Sequence, residues 1–210
     1  QWQPTATAIP VDTYPDTNHT IKISPILEIT HTTTQHRTAR DFHEYTDRLP
    51  HWQKHLLSNV QLLHTVDDLI DTTLQTTNPE LILATDGSAT TSIISFGWVL
   101  GKADGEKFAT TSGSGLGERT AHRAEAWGVL SGILYLLHAT RFTKREYSNS
   151  THIKIYSDNQ KLVNILNTRT KYQRPFANST LAADWDITEQ IHATLQALKP
   201  HQVTIHWLRG

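Results

Sequence analysis

Three carboxylates stand out for where they fall in the chain. Asp86 closes the apolar run Leu81-Ile82-Leu83-Ala84-Thr85 and is followed by the turn formers Gly87-Ser88. Asp158 closes a second run that begins at Ile153, and Glu125 lies in the first turn of a long apolar helix between the two. Taken singly, each reads as structural: an acid before Gly-Ser forms turns, and the helix dipole favours a first-turn glutamate. Taken together they read differently. In an open mixed sheet, side chains at the carboxyl ends of neighbouring strands converge on one crevice. Glu125 adjoins Ala124 at the edge of the buried helical stripe and so faces the sheet. No basic residue adjoins any of the three acids in sequence. Converging carboxylates raise one another's pKa unless a cation neutralises them. Hard oxygen ligands in a chain without cysteine select magnesium or manganese over zinc.

The elements that must position these acids follow from periodicity. Leu81 to Thr85, Ile93 to Leu100 and Phe108 to Ser112 read as strands, with Gly101 to Gly105 as a hairpin connection. A long helix follows, with Ala124, Trp127, Leu130, Ile133, Leu134 and Leu137 on one face. Ile153 to Tyr156 reads as a fourth strand and Val203, Ile205 and Trp207 as a fifth. Between them lie a short helix at Leu162 to Leu166 and a longer one from Ile187 to Leu198, closed by Pro200. A meander followed by helix, strand, helices and strand predicts a five-stranded mixed α/β sheet with helices on both faces and the last two strands parallel. Before it, residues 36–78 carry helical stripes: Phe42, Tyr45 and Leu49; Trp52, Leu56, Leu57, Val60 and Leu63; Val66, Leu69, Ile70 and Leu74. They read as a helical connector ahead of a domain at 79–210. Residues 1–35, rich in Thr and Pro, read as an extended linker or short strand.

Composition narrows the setting. The chain has 210 residues and no cysteine, which excludes disulfides, thiolate metal sites and cysteine nucleophiles. A net charge of -1 argues against a broad electrostatic grip on nucleic acid, so such binding must come from local patches. The apolar run Trp127 to Leu137 is broken by Gly128, Ser131 and Gly132 and falls far short of the roughly 20 residues that span a bilayer. No signal peptide marks the amino end. The expected location is intracellular, cytoplasmic or nuclear, with no membrane partner, and the N-x-S/T sequences at Asn18, Asn149 and Asn178 read as chance. The start at Gln1 and the stop at Gly210 read as those of a piece of a longer polypeptide.

Thr85-Asp86-Gly87-Ser88, Arg123-Ala124-Glu125-Ala126, Tyr156-Ser157-Asp158-Asn159-Gln160 and His206-Trp207-Leu208-Arg209-Gly210 resemble the successive signature blocks of the ribonuclease H family. They stand in the family order and span about Leu81 to Gly210. Asp184-Trp185-Asp186-Ile187, with the helix after it, resembles the form attached to retroelement reverse transcriptases. The resemblance implies a ribonuclease H-like fold and a two-metal hydrolase acting on the RNA strand of RNA–DNA hybrids, with Mg²⁺ as cofactor and Mn²⁺ as substitute. Asp86 would bridge two ions, Asp158 would hold one, and Glu125 would hold the other and approach the RNA 2′-hydroxyl. Gly87, Ser88, Asn159 and Gln160 would lie against the hybrid, and a polymerase domain upstream would be the partner in the parent chain. Two departures follow. The family's His and fourth Asp would fall beyond Gly210, so weak, Mn²⁺-favoured cleavage is expected of this chain; Asp184 and Asp186 precede the last helix and do not replace that acid. Ala121-His122 stands where some relatives carry amides that read the RNA strand.

Other signals are weaker. Arg169, Lys171 and Arg174 alternate with Tyr172 and Phe176, a pattern that fits either a grip on the DNA strand or a solvated loop. His31 and His36 lack the spacing and carboxylate of a metal motif, and Ser88 has no histidine relay beside it in sequence. An integrase or transposase core uses a similar sheet but places its Glu last, on a late helix; here Glu125 comes second. The rival from another class is a non-catalytic ribonuclease H-like tether or hybrid-binding module.

Overall fold

The computed structural model describes residues 39–172, 178–198 and 202–209. Strict alternation builds its sheet. In β2 (Glu80–Ala89), Leu81, Leu83 and Thr85 point inward, and in β5 (His152–Ser157), Ile153, Ile155 and Ser157 do the same. β2 pairs antiparallel with β3 (Ile94–Gly101), which pairs antiparallel with β4 (Lys107–Ser114). On its other side β2 runs parallel to β5, and β5 parallel to β6 (Gln202–Trp207). The expected mixed α/β sheet is therefore present, with its last two strands parallel.

A sixth strand is added where the sequence suggested helix. β1 (Gln61–Leu62) pairs with Thr110 and Ala109 on the edge of β4, giving the order β1-β4-β3-β2-β5-β6. Val60 and Leu63 thus belong to no helix. Their backbone caps an edge that would otherwise leave donors and acceptors unpaired: Phe108 O accepts from the Leu63 and His64 amides, and Ser112 O accepts from Asn59 Nδ2. β2 also continues past Asp86, because β3 keeps pairing with it as far as Ala89.

The central helix α4 (Ala121–Thr143) is buried continuously from Arg123 to Ala139 rather than along one stripe. One side lies on β2 and β3; the other is covered by α1 (Phe42–Asp47), α2 (His51–Leu57), α3 (Val66–Gln75) and α6 (Trp185–Ala197). α5 (Gln160–Arg169) packs against α4, α6 and β6. The described helices gather on this face. The opposite face, with Ala84 exposed and Ile82, Val99 and Tyr156 partly so, carries no described helix. Residues 1–35, read as a linker or strand, lie outside the described residues.

The helical lead-in shares the core of the sheet. Phe42 meets Tyr135 and Phe142 edge-on, and the Tyr45 hydroxyl lies 2.8 Å from His138 Nδ1. Ser131 links three layers: its hydroxyl accepts from Trp98 Nε1 and donates to Leu56 O, both at 2.8 Å. Leu56 O is one of the carbonyls left free at the end of α2. Ser131→Ala strands both partners in a dry core and should cost about 2–4 kcal/mol in urea unfolding. A loss below about 0.5 kcal/mol would show that the lead-in is not tied to the sheet through this residue.

Candidate active site

Topology creates the crevice. β3 and β4 lie to one side of β2, β5 and β6 to the other, so β2 and β5 meet where the strand order reverses. Their pairing ends at Ala84↔Tyr156, and beyond it the two strands part. Asp86 follows on the β2 side, and Asp158 directly after the last residue of β5. The amino-terminal part of α4 fills the gap between them from below with Glu125, which lies just past the first turn of the helix rather than within it. Oxygens of Asp86, Glu125 and Asp158 lie within 4.8 Å of one another, with the two aspartates exposed and Glu125 only 2% exposed.

Glu125 is held on both oxygens. The Gly87 amide donates to Oε1 at 2.5 Å and the Ser157 hydroxyl to Oε2 at 2.9 Å. Burial pushes its carboxyl up to about 7; the Ser157 and Gly87 hydrogen bonds pull downward, while the charges of Asp158 and Asp86 push it further up. A buried carboxylate beside two others, with one donor on each oxygen and a further lone pair on each, fits a hard divalent cation.

The helix can come this close because residue 87 is glycine. A Cβ there would stand 2.8 Å from Glu125 Cα and nearer still to the Glu125 amide. Gly87 is therefore accounted for by strand–helix contact as well as by its place at the crevice. Further along, Gly128 brings α4 down onto the Gly97 and Asp86 carbonyls. Arg123 anchors the same turn. Its guanidinium, 10% exposed, reaches both oxygens of Asp186, Asp184 Oδ1 and the Leu116 carbonyl. Those two aspartates thus serve an ion pair at the start of α6 and are not ligands in reserve.

The other expected contacts divide. Ser88 is exposed beside Asp86, and Gln160 is exposed at the start of α5. Asn159 caps α5, its side chain accepting from the Leu162 amide. Arg169 sits at the far end of α5, roughly 15 Å of helix away. Each of its three nitrogens donates to Glu189 or to the Tyr172 carbonyl. Lys171 is exposed in the turn beyond it, and Arg174 lies outside the described residues. Three groups were not anticipated. Ser157 was legible, being a hydroxyl at an inward position of an alternating strand. Trp207 Nε1, which donates to Asp158 O at 3.0 Å, and Arg209, which lines the cleft with Asp86 and Asp158, are brought in only by the β5–β6 pairing.

No family model matches the chain, and no curated protein matches it significantly. Among solved structures it is similar to the amino-terminal RNase H domain of a Mycobacterium tuberculosis protein, at 16% identity over 62% of this chain and 83% of that one, TM-score 0.43. It is also similar to RNase H1 of the archaeon Halobacterium salinarum, at 17% identity over 62% and 86%, TM-score 0.43. A third is LC11-RNase H1, isolated from compost and solved in complex with an RNA/DNA hybrid, at 14% identity over 61% and 85%, TM-score 0.41.

Two outcomes follow from the geometry. Gly87→Ala must push α4 off β2 and should destabilise the protein by about 3 kcal/mol in urea unfolding, beyond the range of an ordinary surface change. The raised Glu125 value has a definite sign: the folded state holds the proton more tightly than the unfolded one. Without cation, the stability this gives is complete below pH 4.5 and is lost as pH rises through about 7. Glu125→Gln should flatten that slope in melts run with chelator. A native chain that instead gains stability over this window relative to the variant would refute the assignment.

Proposed function

We propose that this chain is a metal-dependent nuclease of the ribonuclease H type, cutting the RNA strand of RNA–DNA hybrids, with the nuclease unit at 79–210 and 36–78 as a mainly helical connector that packs on it and adds β1 to its sheet. The observation that carries the reading is the meeting of Asp86, Glu125 and Asp158 within 4.8 Å at the strand switch point, in the order Asp, Glu, Asp along the chain. Asp86 and Asp158, exposed at the mouth, and Glu125, buried beneath them, would hold Mg²⁺ or Mn²⁺. Bound there, such ions supply an activated water and a clamp on the leaving oxygen of a phosphodiester. Ser88 and Gln160 flank the mouth and would touch the hybrid, with Glu125 nearest the 2′-hydroxyl that separates RNA from DNA. The retroelement setting and an upstream polymerase partner rest on the Asp184-Trp185-Asp186-Ile187 resemblance alone.

The test is cleavage of hybrids labelled on either strand, and of double-stranded DNA, with Mg²⁺ and with Mn²⁺. The expected result is metal-dependent cutting of the RNA strand, little on DNA, and at least a 100-fold loss in Asp86→Asn, on the order of 3 kcal/mol of barrier. Hybrid binding without cleavage, equal in the native chain and Asp86→Asn under both metals, would replace the nuclease with a non-catalytic hybrid-binding module.

A further inference from the structure

We infer that Ser157 is a positioning residue that sets the carboxylate plane of Glu125 for a divalent cation, an inference that rests on the cation site proposed above. The alternation of β5 places Ile153, Ile155 and Ser157 inward, and Ser157 is 2% exposed. An aliphatic side chain would suit that position, since a buried hydroxyl stabilises nothing unless it is paired. This one is used in both directions. It donates to Glu125 Oε2 at 2.9 Å and accepts from the Asn159 amide at 3.2 Å.

The turn that carries Asp158 is pinned by its neighbours. Asn159 caps α5, Trp207 Nε1 holds the Asp158 carbonyl, and the Leu208 amide holds the Ser157 carbonyl at 3.0 Å. The Ser157 hydroxyl connects this pinned turn to Glu125. From the other strand, the Gly87 amide holds Oε1. The last torsion of a glutamate is soft and broad, so a single donor would let the carboxylate swing about it. Two donors from two strands fix the plane and leave the remaining Glu125 lone pairs for an ion that Asp86 and Asp158 would also hold. Loss of a group that orients a metal ligand typically costs about 10- to 100-fold in affinity.

The decisive comparison is Ser157→Thr against Ser157→Val. The two residues have the same shape and both suit a strand, but only threonine keeps the hydroxyl. Mn²⁺ binding to the full chain would be measured by electron paramagnetic resonance and calorimetry, with amide NMR reporting both the fold and the location of the ion. The expected result is binding near native for Ser157→Thr and at least 10-fold weaker for Ser157→Val, with both spectra native away from the cluster. A purely structural hydroxyl would lower the melting temperature of the Val variant and leave its Mn²⁺ affinity within 2-fold of native, which would overturn the inference. So would failure of the native chain to bind Mn²⁺ at the cluster. Should Ser157→Val not fold, Ser157→Ala takes its place with the same two outcomes. Because the readout is ion binding, a native chain that binds Mn²⁺ here yet cuts no hybrid sinks the nuclease reading while leaving the role of Ser157 to be decided by the Thr–Val difference.

Discussion

Where α4 begins, it rests directly on the backbone of β2, and the acid cluster depends on that contact. Gly87 supplies the space and an amide; Glu125 supplies the carboxylate that the amide meets. Such an arrangement is expensive on its own, since a buried carboxylate next to two others opposes its own ionisation. Hydrogen bonds from Gly87 and Ser157 offset part of that cost, and a cation would offset much of the rest. The structure therefore holds an acid that is poorly solvated alone and well placed once a positive charge arrives.

Keeping a helix start in so confined a place takes anchors on its far side. Arg123 provides one, two residues before Glu125, joining the α4 turn to the loop at Leu116 and to the start of α6. Burial works against its charge, but Asp186 and Asp184 more than offset that and raise its pKa. The lead-in helices provide another by covering the outer side of α4 and tying Leu56 to Ser131. α4 is consequently buried all round, as a helix between two layers must be. Few rearrangements can move Glu125 without disturbing one of these contacts.

Much of this was open to reading from the chain alone. The two-residue period of β2 and β5, the helical stripe around Trp127 and the acids that follow the apolar runs are local patterns. They determined the elements, the mixed sheet and the identity of Asp86, Glu125 and Asp158 as a group. Ser157 also lay within reach, as a polar residue at an inward strand position. The misreadings occurred where the deciding interaction was distant in sequence. Val60 and Leu63 have helical spacing, yet the exposed edge of β4 drew their segment into a strand. Arg169 likewise shows nothing in its local sequence of its pairing with Glu189, twenty residues on.

What tertiary structure alone decided is which groups share the crevice, and how closely. Separation in space is set by strand order and by the approach of one backbone to another, and neither leaves a periodic mark in the sequence. The parting of β2 from β5, the descent of α4 onto Gly87 and the arrival of Trp207 and Arg209 beside Asp158 all follow from long-range pairing. So the chain's own pattern determined that acids would follow the apolar runs of two core strands and enter the start of the central helix. Only the folded sheet, by reversing its strand order between them, brought those acids within reach of one ion.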